Sequence, residues 1–301
     1  MSGKKLLDHR LVVVLGKGGV GRTTLAAARA GRRACVVEIG EGGALPQKLG
    51  LPARGSSLRR GMHGVDVWTL TVEECLDAFG RRKLRLPSFA ATVLRNRLVT
   101  TFVDAVPGLH DLLLLGRIES LLSQPRGGDP RYDVIVLDAP ATGHGITMLQ
   151  AAETMTEVTR TGPFFELALA IQKMVADRGR TAIAIGTLAE ELPVSETLEL
   201  LGLLAEDGFS AHTVIANRIE HPPVPDPAAV PLVLETLAKV ADGAGLAELT
   251  AAATERAARQ AEALDMLRRA FASATGPDVV TAPRADRDTL LAVSDALAGL
   301  A

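Results

Sequence analysis

Residues Gly16 to Thr24, GKGGVGRTT, bring together the residue types that grip a phosphate. Gly16, Gly18, Gly19 and Gly21 can take positive φ angles and turn successive backbone N–H groups inward, and a helix starting near Arg22 would add the positive end of its dipole. Thr23 stands where the pattern G-x-x-x-x-G-K-[ST] places a hydroxyl that reaches Mg²⁺. Arg22 occupies the position of that pattern's lysine, and a planar guanidinium fork is not equivalent to a compact ammonium. Lys17 adds a second basic residue directly after the first glycine. A plain tight turn is the alternative reading, but strand, glycines, basic residue, Thr23-Thr24 and helix all arrive in register.

A second candidate is Asp138. It ends an apolar run, Val134 to Leu137, and is followed by Pro140 and Gly143. An aspartate at the carboxyl end of such a strand is where P-loop NTPases hold Mg²⁺, directly or through water. An acid that caps the next turn is the alternative.

These residues need elements to position them. Leu11 to Leu15 reads as a buried strand feeding the glycine loop, and Leu25 to Ala30 as the helix behind it. Further strands are expected at Arg33–Ile39, Asp66–Thr71, Val134–Leu137, Thr181–Leu188, His212–Ala216 and Asp278–Ala282. Helical spacing is expected from Val72, through Ser88–Gln124 with a break at Pro107-Gly108, over Ile146–Thr161 and Phe164–Arg178, and from Ser195, as an N-cap, to Glu206. The apolar stripe Leu167, Ile171, Met174 and Val175 reads as core, an exposed groove being the alternative. Residues 44–64 read as an exposed connection, 221–231 as a proline-rich loop, 232–274 as one or two helices and 287–300 as a mildly amphipathic helix. Strands alternating with helices predict an α/β fold, a mostly parallel sheet with helices on both faces and ligands at the strand carboxyl ends. The loop and Asp138 both lie at such ends.

Composition narrows the function classes. The 301 residues suffice for one large domain, and 47% hydrophobic content with 3% aromatic predicts a core of Leu, Val, Ile and Ala. A formal net charge of −2 argues against a nucleic-acid or anionic-membrane binder. Cys35 and Cys75 have no C-x-x-C partner and read as small core residues of a reducing compartment. The polar start MSGKKLLDHR and the lack of an eighteen-residue apolar run point to a cytoplasmic protein with no integral membrane segment.

GKGGVGRTT resembles the deviant Walker A motif of the ArsA/Get3 group of ATPases, relatives of MinD and ParA, and DAPATGH (residues 138–144) resembles their switch II segment. The resemblance covers most of the chain and includes PGLHDLLLLGRI (107–118). It implies a single P-loop domain over 1–301 with a helical subdomain from about 72–125 and 161–180. It implies an ATPase with ATP/ADP and Mg²⁺ as ligands: Gly16, Lys17, Gly18, Gly19, Val20, Gly21, Arg22, Thr23 and Thr24 around the phosphates, Thr23 and Asp138 on the metal. It further implies that Lys17 reaches the partner's nucleotide across a dimer interface, that Asn217 contacts adenine, a turn asparagine being the alternative, and that His144 couples the switch. The partners implied are a second copy or an ArsA-like paralogue, and a protein client.

Two departures stand out. Arg22 replaces the lysine, and the aspartate that the family carries after its second strand is absent. Glu38 and Glu41 are the nearest carboxylates; Glu41 could substitute, a solvated loop acid being the alternative. Together they leave open a weakly hydrolysing or non-hydrolysing nucleotide-sensing subunit. Two isolated cysteines provide neither the thiolate cluster of an arsenite site nor a C-x-x-C zinc pair.

Overall fold

The computed structural model describes residues 5–17, 21, 33–40, 45–48, 51, 58–60, 65–83, 101, 103–126, 129–140, 142–240, 243–271 and 277–283. Among them, eight strands form one sheet: β1 (Leu11–Leu15), β2 (Ala34–Ile39), β3 (Arg59–Arg60), β4 (Asp66–Leu70), β7 (Val134–Asp138), β8 (Thr181–Leu188), β9 (Thr213–Ile219) and β10 (Asp278–Pro283). Their order is β10-β9-β8-β1-β7-β2-β4-β3, parallel except for β3 at the edge. β5 (Pro125–Arg126) and β6 (Asp129–Pro130) make a separate two-stranded ribbon that the sequence pattern does not predict.

A parallel sheet covered on both faces needs strands that are apolar at every position. LVVVL of β1 and ACVV of β2 meet that need, and all are buried. Alternate residues serve opposite cores: Leu11, Val13, Leu15, Cys35, Val37 and Leu137 face one, while Val12, Val14, Val36, Val134 and Val136 face the other. The first core is closed by α2 (Val72–Lys83), α3 (Leu109–Ser123), α4 (Thr142–Val158), α5 (Pro163–Ala176) and α6 (Glu191–Glu206), which supply Leu76, Leu112, Met148, Ile171 and Leu200. The stripe Leu167, Ile171, Met174 and Val175 is buried in this core, each side chain contributing about 1.5–3 kcal/mol. α7 (Val230–Ala238) and α8 (Gly243–Ala270) follow the proline-rich loop, and α8 buries Ala263, Leu264 and Leu267 against Val194 of α6 and Ala216 of β9.

Three expectations are corrected. The helix expected to open at Ser195 begins at Glu191, because Pro193 lies in the first turn, where a missing N–H costs nothing, and Ser195 is exposed within the helix. Asn217 lies inside β9, paired with Leu188 of β8, rather than after the strand. The connection 44–64 contains one helical turn, α1 (Leu45–Lys48), and β3. Leu45 is fully buried in the second core, and its N–H donates to Glu38 Oε1 at 3.1 Å, so an apolar anchor and a side-chain cap fix this turn. The expected helices over 25–30 and 287–300 lie outside the described residues. Cys35 and Cys75 are buried in the first core, where burial raises the Cys75 thiol to about 12 and pushes Cys35 up as well.

Candidate functional site

The centre of the sheet brings β1 between β7 and β8, with β2 beyond β7. Gly16, the residue after β1, is buried with φ 147°. Gly21 has φ 87°, a backbone conformation that L side chains rarely adopt. A Cβ at Gly21 would overlap Asn217 Nδ2 and lie 3.6 Å from Asn217 Cγ. Gly21 therefore lies against the side chain of Asn217, which is 2% exposed. Gly18, Gly19, Val20, Arg22, Thr23 and Thr24 lie outside the described residues.

Asp138 is the last residue of β7, paired with Val14 of β1 on one side and Glu38 of β2 on the other. The Ala139 N–H donates to Val14 O at 3.2 Å and extends the β7–β1 pairing past the acid. Register partners on parallel strands share a face, so Glu38 and Asp138 leave the sheet side by side. They are 7% and 8% exposed. Carboxylates this desolvated call for donors or a cation, and Glu38 Oε1 accepts from the Leu45 N–H. Hard oxygen donors of this kind suit Mg²⁺ rather than a soft metal, so the chemistry of the residues present fits the ion. Glu38, set aside in the sequence in favour of Glu41, is thus the carboxylate beside Asp138. The signal was available in the alternation of β2, which puts residues 34, 36 and 38 on one face. Glu41 lies outside the described residues.

Lys17 pairs through Nζ with Glu196 Oε1 of α6 at 3.6 Å, with 42% and 31% of the two side chains exposed. An ion pair this accessible contributes about 0–1 kcal/mol and is readily exchanged for another partner. His144 is exposed in the first turn of α4. Across from it, burial raises the pKa of Asp111 on α3, opposed by His144 and His110. Gly145 brings α4 onto β1, since a Cβ there would sit 2.6 Å from Leu15 Cδ2 and 3.2 Å from Pro140 O. The start of α4 is therefore packed directly on the strand that feeds the glycine loop. Gly16 and Lys17 follow β1, Asp138 ends the neighbouring β7, and Gly21 meets Asn217 near the carboxyl end of β9.

A profile of the anion-transporting ATPase family matches residues 83–162. ATPase BagA of Mycobacterium tuberculosis is 32% identical over 238 residues, covering 71% of this chain and 66% of its own length, and a putative ATPase of Mycobacterium bovis gives the same figures. ATPase GET3 of Kluyveromyces lactis is 22% identical over 221 residues, covering 66% of this chain and 56% of its own. The chain thus spans just under two thirds of the length of the mycobacterial relatives. Among the described residues, no helix is long and apolar enough to cross a membrane.

Proposed function

Because this chain belongs to the ArsA/Get3-like family of P-loop ATPases, we propose that it binds MgATP at the strand carboxyl ends and uses nucleotide state to control a partner surface in the cytoplasm. The observation that carries this reading is the close approach of Gly21, which follows β1 in the chain, to Asn217, with Asp138 on the strand beside β1. It supports reading the glycine loop, Asn217 as base contact and Asp138 as metal ligand as parts of one site. Backbone amides from Gly18 to Thr24 hold the phosphates, while Thr23 and Asp138 hold Mg²⁺. When bound, that ion neutralises charge on the β- and γ-phosphates. Lys17 leaves Glu196 and stabilises transition-state charge in the site of a second subunit, either another copy or an ArsA-like paralogue. The helical subdomain of about 72–125 and 161–180 forms the surface that the switch presents to a protein client.

Arg22 favours a second reading, a subunit that senses nucleotide with little hydrolysis, because its fork cannot sit between two phosphates as an ammonium does. Calorimetry with Mg²⁺ and ATP or ADP tests the shared premise. Binding at or below millimolar concentration is expected, and no heat from either nucleotide would end both readings. Turnover of the pure protein then separates them, since robust hydrolysis by the chain alone removes the sensing subunit.

Lys17→Ala addresses the assembly. The variant should fold and melt within about 1 kcal/mol of the parent, because only an exposed ion pair is lost. It should lose nucleotide-driven dimerisation in sedimentation. An unchanged ATP-dependent dimer would show that Lys17 stays with Glu196 and does not cross the interface.

A further inference from the structure

β9 leaves regular pairing at Asn217. Against β10, Ala216 pairs with Thr281 and Ile219 with Pro283, so Ala282 alone stands opposite both Asn217 and Arg218. This is a β-bulge, an insertion that bends a strand and re-aims its side chains beside functional sites. Arg218 takes the extra turn with φ 59°, the one non-glycine residue with positive φ among those described. An arginine gains nothing from that conformation by itself, so something must hold it there.

The holding group is Gln260 of α8. Its Nε2 donates to Arg218 O at 3.2 Å and its Oε1 accepts from the Glu220 N–H at 2.9 Å. One side-chain amide thus replaces two ladder bonds on either side of Ile219. One turn earlier on α8, Arg256 Nε donates to Glu220 Oε2 at 3.4 Å. Helix α8 is itself fixed by Leu264 and Leu267 in the third core. The bulge is therefore braced from outside the sheet, directly behind the asparagine that packs on Gly21.

We propose that Gln260 is a positioning residue for base selection: by clamping the bulge at Arg218 and Glu220, it aims the Asn217 amide at the edge of a 6-aminopurine. The inference rests on the reading of Asn217 as the base contact. An asparagine amide with fixed orientation offers one donor and one acceptor, which match N7 and the 6-amino group of adenine, whereas guanine presents acceptors at both positions. If the clamp is lost, Arg218 relaxes toward extended backbone. The strand's alternation then slips by one residue, and Asn217 turns away from the loop.

The test uses the whole chain and compares MgATP with MgGTP by calorimetry for the parent, Asn217→Ala, Gln260→Leu and Gln260→Leu in an Arg218→Gly background. Gln260→Leu keeps the side chain's bulk and removes its hydrogen bonds. It should weaken MgATP roughly tenfold, as loss of two hydrogen bonds, one half-buried and one exposed, implies, and lower the ATP/GTP preference, with MgGTP changed less than about twofold. Hydrogen exchange at the Glu220 amide should accelerate. Glycine adopts positive φ without help, so with Arg218→Gly present the same substitution should cost less than about twofold. An unchanged ATP/GTP ratio in Gln260→Leu, or an equal loss in the Arg218→Gly background, overturns the positioning role. A parent that binds no MgATP, or an Asn217→Ala variant with the parent's ratio, instead removes the base-contact reading and this inference with it.

Discussion

Gly21→Ala is expected to weaken MgATP binding by at least about 30-fold, from two costs that add. An L residue held at φ 87° pays about 1–2 kcal/mol, and the new Cβ meets Asn217, for which overpacking costs about 1–3 kcal/mol more. Relief by movement is blocked on one side, because Asn217 is 2% exposed and tied into β9 between β8 and β10. The loop must move instead, and a displaced loop no longer aims its amides. Calorimetry reads the loss directly, at about 1.4 kcal/mol per factor of ten. The β1 core below, Leu11 to Leu15, is untouched, so the far-ultraviolet spectrum should match the parent. Parent-like affinity in Gly21→Ala would mean that the loop does not carry the phosphates in this chain.

Asp138→Asn should separate stability from binding. In the nucleotide-free protein, asparagine keeps the volume and much of the hydrogen-bonding capacity of this buried side chain, so the fold should be retained and the melting temperature should change little. With nucleotide the effect is large. Loss of a residue that holds Mg²⁺ directly or through water costs about 10–100-fold in metal-dependent affinity, so the gap between ATP binding in Mg²⁺ and in chelator should nearly close. A variant that merely misfolds would lose stability as well, which makes the paired readout decisive. Retention of the parent's Mg²⁺ dependence would assign Asp138 to capping the turn before α4.

The reading of the chain as strand, glycine loop and helix, then strand and acid, needs only local information, because apolar runs and turn residues sit within one window of sequence. All the same, the sequence misplaced some local details. Ser195 looked like an N-cap and lies inside α6, because Pro193 sits in the first turn of that helix, where a proline removes a donor that had no partner. Asn217 looked like the residue after a strand and lies within one, because the bulge at Arg218 extends β9 by braces from α8, some forty residues on.

By itself, the sequence determined that the protein is an α/β chain with a glycine-rich stretch after its first strand and an acid at the end of another, since apolar runs, glycine spacing and a strand-terminal carboxylate are one-dimensional signals. Tertiary structure alone decided which residues meet: Gly21 on Asn217, Glu38 beside Asp138, Lys17 on Glu196, and Gln260 behind the bulge. The reason is that strand order and register are set by packing across the whole sheet, and no periodicity within a segment records which neighbour it will have.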